Sequence, residues 1–140
     1  MSRQQHVLAV VAAGGAIGSL VRASVQQTWV ESAGTFPWVT LGINIVGCFC
    51  LGMLTVLAAV RSSPWWVTPF LGTGLLGGFT TFSAYVVWAG ELALSDNLTL
   101  AVGYVALTPA ICVSAAWLGA HAPGALGMPH GHAPLARTQE

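Results

Sequence analysis

Four long apolar runs, separated by short polar punctuation, divide this chain into segments near the roughly 20 residues that a helix needs to cross a bilayer. The first runs from about His6 to Gln26, with Arg22 near its far end. The second runs from Pro37 to Val60 and carries no charge. The third starts around Pro64 or Pro69 and reaches Gly90, just before Glu91, and the fourth runs from Leu98 to Ala120. Every charged residue except Arg22 lies outside these windows. Pro37 and Pro64 stand at span starts, where a missing N–H costs nothing. Trp29, Trp38, Trp65, Trp66 and Trp117 sit near span ends, as an interfacial aromatic belt does. The short connections predict that consecutive helices run antiparallel. After Ala120 the pattern is lost, and residues 121–140 gather Pro, Gly and His, the composition of a disordered tail after a transmembrane unit of residues 1–120.

The third run is interrupted at its middle. Gly72, Gly74, Gly77 and Gly78 precede Thr80, Thr81 and Ser83, and adjacent glycines followed by hydroxyl residues make a poor helix centre. A break there frees carbonyls and N–H groups at bilayer depth, which is tolerated only inside protein or beside water.

Composition strengthens the membrane reading. Of the 140 residues, 55% are hydrophobic and 6% charged, against about 25% charged in a soluble domain. Too little charge is present to cover a surface facing water, so lipid is the expected solvent. There is no Lys, the net charge is zero, and no basic patch points to nucleic acid. The polar start, Met1 to Gln5, is followed by a run with no convincing cleavage site, so the spans themselves are expected to direct insertion. Arg3, Arg61 and Arg137 lie on the side of the termini and Arg22 on the other, a bias thin enough to permit insertion both ways. Cys48, Cys50 and Cys112 all fall in apolar runs. They are no disulfide framework and read as packing residues, with Cys112 also able to line a polar path. His130-x-His132 in the tail is a weak metal-binding pattern. No P-loop, metal-ligand spacing or nucleophile constellation is present, which argues against an enzyme.

Function then has to come from uncharged polar groups inside the spans, which must find partners or water. Thr40, Asn44 and Cys48 repeat at four-residue intervals and share one helix face. Asn44 can glue helices together or offer its amide to a ligand. Gly42, Gly47 and Gly52 permit close approach of another backbone. The broken run reads either as tight packing, since Gly74-x-x-x-Gly78 is a small-residue motif, or as an ion site of the kind discontinuous helices form. Phe82 and Tyr85 project near one face, as packing or as ring edges offered to an anion. On the fourth span Tyr104, Thr108 and Cys112 repeat at four-residue intervals beside Pro109. Thr108 extends a polar track or bonds its own i−4 carbonyl. Arg22 either snorkels or holds a structural contact.

These residues resemble the fluoride channels of the Fluc (CrcB) family. The likeness covers about residues 10–118. It is carried by Gly14-Gly15-Ala16-Ile17-Gly18 with Arg22, by Thr40-Leu41-Gly42-Ile43-Asn44 with Gly47, and by Gly77-Gly78-Phe79-Thr80-Thr81-Phe82-Ser83. The resemblance implies an all-α membrane protein of four transmembrane helices, the third broken at mid-membrane, assembled as an antiparallel dual-topology homodimer with two pores in the cytoplasmic membrane. It implies a structural Na⁺ at the dimer centre, held by the backbone carbonyls of Gly77 and Thr80. It places the pore asparagine on Asn44 and the paired aromatic rings on Phe82 and Tyr85. The polar tracks fall on Ser83 and on Tyr104, Thr108 and Cys112, and Arg22, Gly47 and Gly78 take structural parts. Position 85 is Tyr where the family usually has Phe, and position 84 is Ala where Thr is common. Both departures alter the donors along the path.

The chemistry is consistent with that implication. Fluoride is small and strongly hydrated, so a pore must replace its water with several donors. It must also bind weakly enough to release the ion. Two rival readings are a small dual-topology drug exporter, which wants a carboxylate inside the membrane, and a non-conducting assembly subunit held by its glycine faces.

Overall fold

In the computed structural model, which describes residues 2–61 and 63–125, the chain is helical throughout, with no strand among those residues. Four helices are long and apolar enough to cross a membrane: Arg3–Thr28, Trp38–Val60, Pro69–Leu94 and Leu98–Ala125. They are the four expected spans, each with ends displaced by a few residues. The third runs on to Leu94, which takes Glu91 into its last turn on an exposed position. The fourth continues five residues beyond Ala120, through Pro123. The first part of the expected tail is therefore helix, and residues 126–140 lie outside the described residues.

Each helix end has its own chemical reason. Ser2 caps the first span in a capping box, its backbone N–H donating to Gln5 Oε1 at 2.7 Å. Pro37, before the second span, has no side-chain capping bond. Glu31 reaches across from the preceding loop instead. Its Oε1 accepts from the backbone N–H groups of Val39 (2.8 Å) and Thr40 (3.1 Å), and its Oε2 accepts from the Thr40 hydroxyl (2.6 Å). A carboxylate there satisfies orphan donors and favours the positive end of the helix dipole. The third span closes at Asp96 in the left-handed region (φ 58°), with the Asn97 N–H returning to the Leu92 carbonyl at 3.2 Å.

Which spans touch is decided by glycine rather than by order along the chain. The first packs on the first half of the third with almost no side chain between them. A Cβ on Gly14 would fall on the Phe70 carbonyl oxygen, one on Gly18 on that of Leu75, and one on Gly78 on that of Gly15. The second packs on the fourth in the same way: a Cβ on Gly52 would strike the Ala116 carbonyl, and one on Gly119 that of Phe49. Without a hydrophobic drive in lipid, such backbone proximity supplies the van der Waals contact that joins helices. Buried apolar side chains are few among the described residues, and four of them, Leu41, Leu92, Ala101 and Tyr104, form one cluster, with Phe36, Tyr85 and Trp88 against it. Leu20, Val46, Val87 and Val113 face outward, as does each tryptophan expected in the interfacial belt.

Candidate functional site

The third span changes form three times. Pro69–Leu76 is wound as a wide π-helix, Gly77–Phe79 adds one ordinary turn, and Phe82–Leu94 resumes as α-helix. Between them Thr80 (ψ 155°) and Thr81 (ψ 121°) are extended. The expected break is therefore real and lies at Thr80-Thr81, just after the glycine pair.

Buried backbone groups need partners, and most of those released at the break have one. The Leu76 carbonyl accepts both the Thr80 N–H and the Thr80 hydroxyl, each at 3.0 Å. The Gly78 carbonyl accepts Arg22 Nε at 3.2 Å and the Ser19 hydroxyl at 3.4 Å. Arg22 thus holds a structural contact rather than snorkelling away. Asn44 serves Thr81 at both ends: its Nδ2 donates to the Thr81 carbonyl (3.0 Å), and its Oδ1 accepts the Thr81 N–H (2.8 Å). The Thr81 hydroxyl accepts the Ala84 N–H at 3.1 Å and so caps the helix that follows. Gly47 makes room for this bend, because a Cβ there would occupy the place of the Thr80 methyl. Among the described residues no hydrogen bond ends on the carbonyl of Thr80, and none from outside the helices or from a side chain ends on those of Gly77 or Phe79. Gly77 is exposed.

Beside the break lies a groove of about 280 Å³, lined by Asn44, Thr80, Thr81, Phe82, Tyr85 and Thr108 together with Cys48, Pro109 and Cys112. No charged side chain lines it. Thr40, Asn44 and Cys48 on the second span are matched by Tyr104, Thr108 and Cys112 on the fourth, at the same four-residue interval. The Thr108 hydroxyl and the Tyr104 hydroxyl are buried, and neither has a hydrogen-bond partner among the described residues; Tyr104 itself does not line the groove. Thr108 therefore does not bond its own i−4 carbonyl. Aromatic rings continue the line: Phe82 to Tyr85 at 5.6 Å between centroids, Tyr85 to Tyr104 at 5.2 Å, and Tyr104 to Phe36 at 5.4 Å edge-on. Phe82 is 78% exposed on the open side.

Tyr85 has a second task. Pro109 has no N–H to give the carbonyl four residues before it, that of Val105. The Tyr85 hydroxyl donates to that carbonyl at 2.8 Å. Its ring faces the groove while its hydroxyl is committed to the fourth span. Ser83 is placed differently from the rest: it is exposed, its hydroxyl pairs with that of Thr81 at 3.2 Å, and it does not line the groove. Gly77 and Thr80 also border a second groove of about 380 Å³, where Thr55, Thr68 and Thr73 contribute polar groups.

Comparison with known proteins places the chain in a family. Residues 9–120 match the family described as "CrcB-like protein, Camphor Resistance (CrcB)". The chain belongs to the CrcB family. It is 44% identical over 120 residues to a protein of Streptomyces coelicolor named "Fluoride-specific ion channel FluC 1", covering 85% of this chain and 78% of that one. A "Fluoride-specific ion channel FluC" of Agrobacterium fabrum is 41% identical over 114 residues, covering 80% and 91%. One of Paramagnetospirillum magneticum is 41% identical over 117 residues, covering 79% and 90%. These relatives are named as channels, not enzymes. With four spanning helices, this CrcB chain is a multi-pass membrane protein.

Three contributors escaped sequence reasoning. Thr81 shows the pattern of a Ser/Thr cap before an apolar run, which signals a helix start inside the third span. Glu31 lies six residues before Pro37, too far for a local cap rule to find. The link between Tyr85 and Pro109 becomes visible only once the third and fourth spans are known to touch.

Proposed function

We propose that this chain is a fluoride-selective channel that lets fluoride leave the cell passively across the cytoplasmic membrane. The observation that carries the proposal is the pair of buried hydroxyls, Tyr104 and Thr108, which have no hydrogen-bond partner among the described residues; Thr108 lines a groove free of charge, and Tyr104 stacks behind the Tyr85 ring that lines it. A buried unpaired donor costs about 1–3 kcal/mol, and a small anion passing along the groove is an acceptor for it. The Asn44 amide keeps one N–H beyond its bond to Thr81. The edges of Phe82 and Tyr85 add a weakly positive wall. Together these are several modest donors and no fixed cation, the combination that permits an anion to enter and leave. Ser83 is the weakest member of this set, since its hydroxyl is paired with Thr81. Neutral HF that enters an acidified cell ionises in the cytosol, and the channel returns the anion down its gradient.

The subunit pathway is open on one side, where Phe82 stands exposed. A second copy, antiparallel to the first in a homodimer, is the cover we infer. That arrangement also gives the carbonyls at the break a purpose. Unwound carbonyls coordinate Na⁺ in discontinuous transmembrane helices. Among the described residues no hydrogen bond from outside the helices ends on the Gly77 or Thr80 oxygen, and both residues border the second groove, so their chemistry fits a hard monovalent cation. Two such pairs, one from each copy, supply four oxygens for a structural ion. Gly78, whose carbonyl is taken by Arg22 and Ser19, holds the turn rigid beside them.

The exporter reading needs a carboxylate at mid-span. Glu91 is in the last turn of the third span, is exposed, and does not line the groove. A liposome assay separates the readings: purified protein is expected to release fluoride without ATP or a proton gradient. Folded protein that moves a cationic drug against protons and no fluoride would overturn the proposal.

A further inference from the structure

We propose that Cys48 and Cys112 together form a binding site for a soft monovalent cation of the Cu⁺ and Ag⁺ class, inside the groove that carries the anion. The site follows from how the second and fourth spans are joined. Their backbones meet at Gly52 and Ala116. Cys48 and Cys112 each lie four residues before that contact, so both thiols are on the contacting faces and level with one another. Both line the same groove, one from each of the two packed spans. Cys50, two residues along from Cys48, points to a different side of its helix and is not part of the groove.

Thiol ligands select soft cations. The groove contains no carboxylate and no imidazole, and no cluster of three or more His, Cys, Asp or Glu occurs among the described residues. A harder divalent ion that wants four or more such ligands therefore finds no shell, whereas a two-coordinate d¹⁰ monovalent ion needs only the two sulfurs. Charge burial limits the stoichiometry. An uncompensated charge away from water is costly, so the cation displaces one thiol proton and keeps the other thiol as a neutral donor. Two metal–sulfur bonds form, one S–H bond breaks, one proton leaves, and no electron moves. The net charge of the groove stays at zero, and its bore is filled one turn away from Asn44 and Thr108.

The thiol site stands on the packing of the two spans alone, and its blocking effect rests on the channel reading. Two readouts keep these apart. In detergent, AgNO₃ in chloride-free buffer is expected to bind one ion per chain at the pair, with a sulfur-to-silver charge-transfer band in the ultraviolet. Cys48→Ala and Cys112→Ser each abolish the band, and Cys50→Ala keeps it. In liposomes, micromolar Ag⁺ is expected to reduce fluoride release at least tenfold, with recovery on adding dithiothreitol, in wild type and Cys50→Ala only. Should a single variant misfold, the wild-type stoichiometry and its loss after N-ethylmaleimide treatment still decide. Wild-type protein that takes up no silver, or whose band depends on Cys50, overturns the site. Silver bound with undiminished fluoride release overturns the block. Silver bound by a protein that releases no fluoride at all leaves the thiol site intact and overturns the channel reading.

Discussion

Pro109 removes one hydrogen bond from the fourth span, and the Tyr85 hydroxyl replaces it on the Val105 carbonyl. This gives the tyrosine a reason that does not involve the anion. Tyr85→Phe is therefore expected to keep fluoride flux within the same order of magnitude while lowering stability by about 1 kcal/mol, the usual worth of a hydrogen bond. The loss should vanish in a Pro109→Ala background, where residue 109 can again donate to Val105. A double-mutant cycle read by thermal unfolding in detergent checks this, and strict additivity of the two changes would contradict it. Asn44 is more exacting. Asn44→Asp turns the donor that serves the Thr81 carbonyl into an acceptor, so the break loses its brace and the groove gains negative charge. Fluoride flux from folded Asn44→Asp protein is expected to fall by at least about tenfold, the cost of roughly 1.4 kcal/mol or more. Wild-type flux would remove Asn44 from the pathway. At this scale the sequence was legible in part. Four-residue spacing fixes a helix face, and so Asn44 lines the groove with Cys48, and Thr108 with Cys112; that the two faces meet each other and Phe82 depends on the packing of the spans. The engagement of Ser83 with Thr81 was not legible, since it depends on the local geometry of the break.

The elements were read from hydrophobic run length, and all four spans are present. Their ends are less well defined by composition, because capping by Glu31 and the left-handed Asp96 decide where a helix stops. Pairing between spans could not be read at all from order. Glycine advertises a close approach without naming the partner, and Gly14 and Gly18 meet Phe70 and Leu75, far along the chain. The π-helical turn of Pro69–Leu76 likewise has no signature in the apolar pattern. Since the Cβ of a residue at Gly18 would sit on the Leu75 carbonyl, backbone must move to admit it. Gly18→Val is expected to destabilise the subunit by at least about 1–3 kcal/mol, the range for overpacking. Gly90→Ala, at a site with open space around it, should leave the unfolding midpoint unchanged or slightly higher. Unfolding midpoints in detergent give the comparison, and equal behaviour of the two variants would contradict the packing account.

For the molecule as a whole, a polar path has been built from almost no charge. Arg22 supports the backbone of the broken span instead of meeting the anion, and the groove presents neutral donors only. The second copy and the central Na⁺ complete this picture as proposals. Replacing Na⁺ by a larger organic cation is expected to weaken the dimer or slow fluoride flux, as read by cross-linking and by efflux from the same preparation. Indifference in both readouts would leave the Gly77 and Thr80 carbonyls without that role. The most direct test of the account is a fluoride-electrode trace from liposomes containing purified protein, recorded beside a chloride-electrode trace and beside Phe82→Ile. The account predicts rapid fluoride release with no ATP or proton gradient, far slower chloride release, and little or no fluoride release from Phe82→Ile dimers. Equal release of fluoride and chloride, or none of either from folded dimers, would contradict it.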